Sequence, residues 1–390
     1  MGTKVAKKKE AKGPELQNLP NAAWIVECQK SLVAWYRKHK RDLPWRRRRD
    51  AYSIWVSELM LQQTRVETVI PYYERFLNRF PDVRALAAAR EDEVLALWSG
   101  LGYYSRARSL LRAAQEICER HGGEFPRERN AVRALSGIGP YTAGAVLSIA
   151  FGASEALVDG NVARVFARLF GLRAPLRSKA LETSLWRLAE TLVPSQGKAS
   201  SKGNRRGNKS LDPGEWNQAV MELGARVCLP KKPKCDACPL ASMCAAREAD
   251  CANELPVPAP KPELLDVDLE MLYVEKKERL LLVQRPPKGR MASMWELPTR
   301  ELGSSLLWSE DFPVVIESAG AEFGLLKHSI TRHRIQAALR VGAFGAKALQ
   351  SPRGSETAWR FVAPPELSEL GLTGLTKKAL RFVLRDVGES

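Results

Sequence analysis

Residues 135–161 read LSGIGPYTAGAVLSIAFGASEALVDGN. The stretch opens with Gly137-Ile138-Gly139-Pro140. Two glycines one residue apart admit backbone angles that other residues resist. Pro140 suits the first position of a helix, where its missing N–H is not needed. From Ala143 to Phe151 the chain is apolar nearly all round, the pattern of a buried helix. A tight turn thus delivers a helix N-terminus with free amides and a positive dipole end, a seat for a phosphate. Val158-Asp159-Gly160-Asn161 leads into a second helix, whose Val162, Val165, Phe166, Leu169 and Phe170 share one face. Asp159 stands just before it, either as a cap alone or as a carboxylate with chemistry to do. Two capped helices around a glycine turn would explain the stretch by themselves, so the decision rests on the rest of the chain.

The chain has 390 residues, room for two or three domains with real cores. Its hydrophobic fraction, 45%, is ordinary for a globular protein, and no run approaches the length of a membrane span. The opening MGTKVAKKKEAKGPE lacks the apolar centre of a signal peptide and predicts a disordered basic arm over residues 1–20. A net charge of +17 favours a polyanionic partner, nucleic acid above an acidic protein. Seven cysteines occur, four of them between 228 and 244, and without a secretory signal metal ligation outranks disulfides.

Upstream, Trp24 to Tyr36 has the spacing of an amphipathic helix. It is followed by Arg41-Asp42-Leu43-Pro44-Trp45-Arg46-Arg47-Arg48-Arg49. Such a run is either a solvated face or a nucleic-acid contact, where the ring stacks on a base and guanidiniums take phosphates. Tyr52 to Val69 predicts one helix, with Glu58 between Val56, Leu59, Met60 and Leu61. A carboxyl in that company has its pKa raised and suits a general acid, unless it is an ordinary helix-surface Glu paired with Arg65. Helices follow around Tyr72–Phe80 and Glu91–Trp98. Ser99-Gly100-Leu101-Gly102-Tyr103-Tyr104-Ser105-Arg106 is then a second glycine turn opening a helix, with a tyrosine that is either core or a wedge between bases.

Residues 195–210, SQGKASSKGNRRGNKS, predict a flexible low-complexity insertion. Cys228, Cys235, Cys238 and Cys244 are spaced for a tetrahedral zinc or a [4Fe–4S] cluster. The compactness favours iron–sulfur, since zinc ribbons usually separate their CxxC pairs further. Cys28, Cys118 and Cys251 fall outside the pattern. The proline-rich stretch 251–264 predicts a linker. Beyond it, Val267, Leu269, Met271 and Tyr273 alternate, Glu275–Glu278 predicts a turn, and Leu280–Val283, Ile335–Val341 and Trp359–Val362 predict further strands. Residues 265–390 therefore read as an α+β domain, and residues 21–250 as a mainly α one.

These blocks converge. Helix–GIGPYT–helix followed by VDGN resembles the helix-hairpin-helix DNA glycosylase superfamily, and the cysteine spacing resembles its iron–sulfur branch. Within it, RDLPWR, WVSELMLQQTRVETV, WSGLGYYSRAR, GIGPYTAGAVLS and VDGNVARV resemble the adenine DNA glycosylases of the MutY family, from about Trp24 to Cys244. RPPKGRMASMWELP resembles that family's C-terminal MutT-like, or Nudix-like, domain.

The resemblance implies a base-excision enzyme that flips adenine out of a mispair with 8-oxoguanine or guanine and hydrolyses its glycosidic bond. It implies Glu58 as the acid that protonates adenine N7, Asp159 as the stabiliser of the oxocarbenium ion, and Asn161 as the residue that orients Asp159 or water. Tyr141 falls where lyase members carry a lysine, which implies a reaction that stops at the abasic site. Gln63, with Thr64 beside it, and Tyr103 match the residues that intercalate into the duplex. Arg41, Leu43, Trp45 and Arg46 match the adenine-pocket segment, and Gly137 and Gly139 the hairpin turn on DNA. A [4Fe–4S] cluster on the four cysteines is implied as well.

Where the family often shows Phe-Ser-His for reading 8-oxoguanine, this chain has Ile330-Thr331-Arg332, so Thr331 keeps a hydroxyl and Arg332 replaces His. The Nudix hydrolase block is absent after Gly289, which speaks against a magnesium-dependent pyrophosphohydrolase. Competing readings are a bifunctional glycosylase/lyase and a non-catalytic iron–sulfur DNA-binding protein. The expected partner is duplex DNA with an A:8-oxoG or A:G mispair, and no membrane. The protein is expected to be a monomer in a bacterial cytoplasm at the nucleoid, or in the nucleus of a eukaryote.

Overall fold

The computed structural model describes residues 19–195, 211–260, 263–303, 308–309, 311–312, 317–343 and 358–386. Most of the expected basic arm and of the 195–210 insertion lies outside the described residues.

In chain order the helices are α1 (Ala22–His39), α2 (Pro44–Arg47), α3 (Ala51–Leu61), α4 (Val66–Arg79), α5 (Val83–Ala87), α6 (Glu91–Trp98) and α7 (Ser105–His121). They continue with α8 (Arg129–Ala134), α9 (Pro140–Phe151), α10 (Gly160–Leu169), α11 (Lys179–Leu192), α12 (Pro213–Arg226), α13 (Ala245–Glu248) and α14 (Gly374–Asp386). The strands are β1 (Leu265–Tyr273), β2 (Glu275–Lys276), β3 (Arg279–Gln284), β4 (Trp295–Glu296), β5 (Thr299–Glu301), β6 (Glu317–Ile330), β7 (His333–Ala343) and β8 (Trp359–Val362). The chain divides into two compact units, Met1–Leu59 with Phe125–Pro260, and Met60–Glu124 with Lys261–Ser390.

The first unit is helical. Its core gathers α1, α9, α10, α11 and α12 around Leu32, Leu157, Phe166, Leu188 and Trp216. The predicted hairpin holds. Gly137 adopts φ +73°, Gly139 caps α9 and Pro140 is its first residue. Asp159 caps α10, which buries Val162, Val165, Phe166 and Leu169. Gly144 is required by packing, because a Cβ there would lie 2.0 Å from the carbonyl oxygen of Ala156. α3 is buried all round rather than along one stripe, from Ala51 to Met60. The proline-rich stretch begins packed against this unit: Leu255 is buried, its carbonyl accepts from Arg168 Nε at 2.8 Å, and Val257 bridges Pro175.

The single helix expected over Tyr52–Val69 is two helices. Gln63 has φ 61°, a left-handed backbone that ends α3, and Arg65 is extended before α4 begins. Nothing in the composition of Gln62-Gln63-Thr64 announces that break, because it is not a glycine or proline that makes it.

In the second unit β1 pairs parallel to β7, with Val267 opposite Ile335, Leu269 opposite Ala337 and Met271 opposite Leu339, all buried. β5 lies antiparallel on the other side of β1 and β6 on the far side of β7. A second sheet sets β3 between β8 and the partners β2 and β4. The expected turn closes between β2 and β3 on Lys277 and Glu278, both at positive φ, the geometry of the primed turns that suit twisted hairpins. The C-terminal residues are thus α+β, as their alternation predicted. Residues of α6 and α7 belong to this unit too: Ser99 Oγ donates to the carbonyl of Leu372 at 3.1 Å, and Arg108 Nη1 to that of Ala292 at 2.6 Å.

Candidate active site

In the first unit α3 presents Glu58, and the opening turns of α9 and α10 present Tyr141 and Asp159. Glu58 is 5% exposed, and the hydroxyl of Tyr141 donates to its Oε2. Tyr141 Oη also lies 3.7 Å from Met221 Sδ on α12. Asp159 uses both oxygens: Oδ1 accepts from the amide of Val162 at 2.7 Å, and Oδ2 from Asn161 Nδ2 at 3.0 Å. Capping thus takes one oxygen of Asp159, and Asn161 holds the other.

Burial pushes the Glu58 carboxyl up to about 7, against the hydrogen bond from Tyr141; the Asp159 charge adds to the rise and Arg46 opposes it. Asp159 is also raised by burial, but the amide of Val162 and the side chain of Asn161 pull it back. Tyr141 is held well above the phenol range by burial and by both carboxylates, so it stays a donor. The site thus separates one carboxyl that holds a proton near neutrality from one whose oxygens are solvated by fixed donors.

Asn161 is itself held. Arg164 Nη2 donates to Asn161 Oδ1 at 2.9 Å and to the carbonyl of Gly224 at 2.8 Å, while Arg164 Nε reaches the carbonyl of Cys228 at 2.7 Å. Gly224 lies so close beneath that a Cβ there would stand 2.6 Å from Cβ of Asn161.

Arg41 and Arg46 meet a residue that sequence reasoning missed. Glu222, fully buried on α12, accepts from Arg41 Nε at 2.9 Å, from Arg41 Nη2 at 2.8 Å and from Arg46 Nη2 at 2.8 Å. Burial alone would raise its carboxyl, but the hydrogen bonds from Arg41 and Arg46 and the charge of Arg46 bring it down to about 2. Leu43 and Trp45 are buried between the two arginines in sequence. The signal for Glu222 was the same as for Glu58, a carboxylate flanked by apolar Met221 and Leu223.

In the second unit Gln63 and Tyr103 come together: both are exposed, and Tyr103 Oη lies 3.5 Å from Gln63 Oε1. Thr64 is half-buried beside them. Thr331 sits exposed at the turn between β6 and β7, at φ 53°, with its hydroxyl on the carbonyl of Ile330 at 2.7 Å. In the first unit Gly137 and Gly139 are exposed at the hairpin turn.

Cys228, Cys235, Cys238 and Cys244 line one cavity with Arg168 and Leu169. Short 3-10 turns at Cys235–Ala237 and Ala241–Met243 bend the chain around it. The buried Arg168 fastens the segment, donating to the carbonyls of Leu229 at 2.6 Å and Pro230 at 3.1 Å and to Cys228 Sγ at 3.3 Å. Among the described residues no three metal-ligating side chains converge on a single ion. Four thiols spread around a shared cavity suit a cluster, in which each iron takes one thiolate, better than a lone tetrahedral zinc.

Residues 56–191 match the family described as HhH-GPD superfamily base excision DNA repair protein. Residues 228–244 match the iron–sulfur binding domain of endonuclease III, and residues 270–382 a NUDIX domain. Three curated relatives, each named adenine DNA glycosylase, bracket the similarity. The Homo sapiens protein is 37% identical over 333 residues, 72% of this chain and 58% of that one. The Arabidopsis thaliana protein is 33% identical over 441 residues, 97% of this chain and 67% of that one. The Schizosaccharomyces pombe protein is 30% identical over 359 residues, 77% of this chain and 74% of that one. The aligned part spans 58% of the human relative's length and 62% of the Rattus norvegicus relative's.

Proposed function

The chain belongs to the adenine DNA glycosylase family, and from that premise we propose that it removes adenine mispaired with 8-oxoguanine or guanine in duplex DNA, leaving an abasic site. The observation that carries the reading is the pair Glu58 and Asp159 in one site, Glu58 with its carboxyl pushed up to about 7 and Asp159 with each oxygen on a fixed donor.

Glu58 holds the proton and delivers it to adenine N7, so that the base leaves neutral. Tyr141 fixes the carboxyl by donating to Oε2. As the glycosidic bond lengthens, positive charge develops on the sugar, and Asp159 stands as its counter-charge. Asn161 and the Val162 amide set which lone pairs of Asp159 face the sugar. Tyr141 occupies the lyase lysine's place and offers no amine for a Schiff base, so water is the final acceptor. Leu43, Trp45 and Arg46 form the adenine-side wall and Arg41 contacts the DNA beside it, with Glu222 holding both guanidiniums. Gly137 and Gly139 admit the backbone phosphate, Gln63 and Tyr103 enter the duplex, and Thr64 contacts the DNA beside Gln63.

Cys228, Cys235, Cys238 and Cys244 would hold a [4Fe–4S] cluster. Its thiolate bonds cross-link the 228–244 segment when bound. Residues 265–390 form the domain that reads 8-oxoguanine, with Thr331 as a contact, and residues 21–250 form the domain that does the chemistry. The protein acts as a monomer, in a bacterial cytoplasm or a eukaryotic nucleus. Among the described residues no helix is long and apolar enough to cross a membrane.

The test is a cleavage assay on an A:8-oxoG duplex. Strand scission only after hot alkali, with no borohydride-trapped adduct, is the expected result. A trapped adduct would assign a lyase, and no scission on any mismatch a non-catalytic binder.

A further inference from the structure

Gln63 and Tyr103 are forty residues apart in sequence, yet they share three properties. Both side chains are exposed and adjacent, and both backbones are left-handed, at φ 61° and 48°. Neither is a glycine, so each conformation persists only if its surroundings impose it.

One side chain does so for both. Arg106, 8% exposed on the first turn of α7, lies between the two strained segments. Its Nη1 donates to the carbonyl of Met60 at 3.2 Å and to that of Gln62, the residue before Gln63. Its Nη2 donates to the carbonyls of Leu101 at 3.3 Å and Gly102 at 3.1 Å, the latter the residue before Tyr103, and contacts Thr64 Oγ1 at 3.5 Å. The guanidinium carbon lies 5.4 Å from the Tyr103 ring centroid and 5.5 Å from that of Trp98, whose Nε1 also donates to the carbonyl of Gly102. The fork of donors therefore fixes the peptide planes on which both left-handed residues turn. A lysine has the charge but lacks the planar fork.

We propose that Arg106 is a positioning residue for base extrusion, a buried clasp that holds Gln63 and Tyr103 erect as one preformed wedge. This rests on the reading of those two side chains as the groups that enter the duplex. Without the clasp, each backbone relaxes toward ordinary angles and the side chains part. The wedge must then be assembled at the moment of extrusion, which slows the step without removing a phosphate contact.

The experiment compares wild type, Arg106→Lys and Arg106→Met on two duplexes containing 2-aminopurine at the target position. In one the target faces 8-oxoguanine; in the other it faces an abasic analogue, so it is already unpaired. The fluorescence rise reports extrusion, and thermal midpoints and anisotropy report folding and DNA affinity. On the paired duplex, Arg106→Met should extrude about tenfold more slowly, and Arg106→Lys should show a smaller loss. On the unpaired duplex both should recover to within about twofold of wild type. Equal losses on both duplexes, or none on the paired one, would overturn the proposal.

Should Arg106→Met not fold, Arg106→Lys decides alone through a cycle. Added to a Gln63→Ala/Tyr103→Ala protein it should slow extrusion by no more than about twofold further, and a full additive loss would refute the clasp. A wild-type protein that neither extrudes nor releases adenine would count against the proposed function instead.

Discussion

The phenol of Tyr141 donates to Oε2 of Glu58, so the buried carboxyl is held by a neutral donor that also restrains its pKa. Burial raises Glu58 to about 7 in spite of that bond. Tyr141→Phe removes that restraint and leaves only the charge of Arg46 against burial, so the carboxyl should titrate higher. The alkaline limb of single-turnover adenine release, near pH 7 in wild type, should then move to higher pH. An unchanged limb would show that Glu58 is not the acid.

Glu58 also makes stability depend on pH. Its folded pKa lies above its usual value, so ionising it destabilises the fold. The penalty is absent below about pH 4 and complete above 7, where it reaches roughly 3 kcal/mol. Glu58→Gln should therefore abolish base release, leave DNA binding intact and raise the urea midpoint at pH 8 more than at pH 4. A variant less stable than wild type at pH 8 would contradict the account.

Glu222 runs in the opposite sense. Arg41 and Arg46 hold its carboxylate at about 2, so its contribution is present above the usual glutamate range and is lost as pH falls toward 2. Glu222→Gln leaves two guanidiniums without their charge partner and should cost about 3–5 kcal/mol at pH 7. The gap to wild type should narrow at pH 3 in denaturant titrations. A gap independent of pH would mean that packing, not charge, is what the substitution disturbs.

What the sequence disclosed follows from where its signals were local. The α9 and α10 starts are punctuated by Gly139-Pro140 and Asp159-Gly160, and both stood where expected. Glu58 betrayed itself by apolar neighbours. Arg41 and Arg46 read as solvent- or DNA-facing because their partner lies 181 and 176 residues away. The end of α3 was invisible because a glutamine, not a glycine, takes the left-handed turn. The grouping of residues 60–124 with the C-terminal sheets rests on pairs such as Ser99 and Leu372, which no periodicity links.

The cysteine cavity predicts a brown protein that absorbs at about 400 nm. Cys238→Ser should bleach it, since the wall of the cavity loses one thiolate. A colourless wild type with stoichiometric zinc after anaerobic purification would refute the cluster.

Thr331 carries a β-branched side chain at φ 53°, where such residues are strained. Thr331→Gly should stabilise the protein by about 1 kcal/mol. The same change removes the hydroxyl, so the preference for A:8-oxoG over A:G should fall by up to about tenfold, the worth of one hydrogen bond. Paired single-turnover assays at one salt concentration measure this. Stabilisation with no change in preference would leave Thr331 out of substrate reading.

Gly224 belongs to none of the motifs that mark this chain, yet its missing Cβ is the space in which Asn161 stands. A single methyl group there would press on the side chain that orients Asp159. In any survey of inherited or laboratory-evolved variants, alanine at position 224 would rank among the mildest changes by chemistry and among the most damaging by location. Harm at such a position is invisible to scores built on residue similarity and becomes plain once the neighbour above it is named.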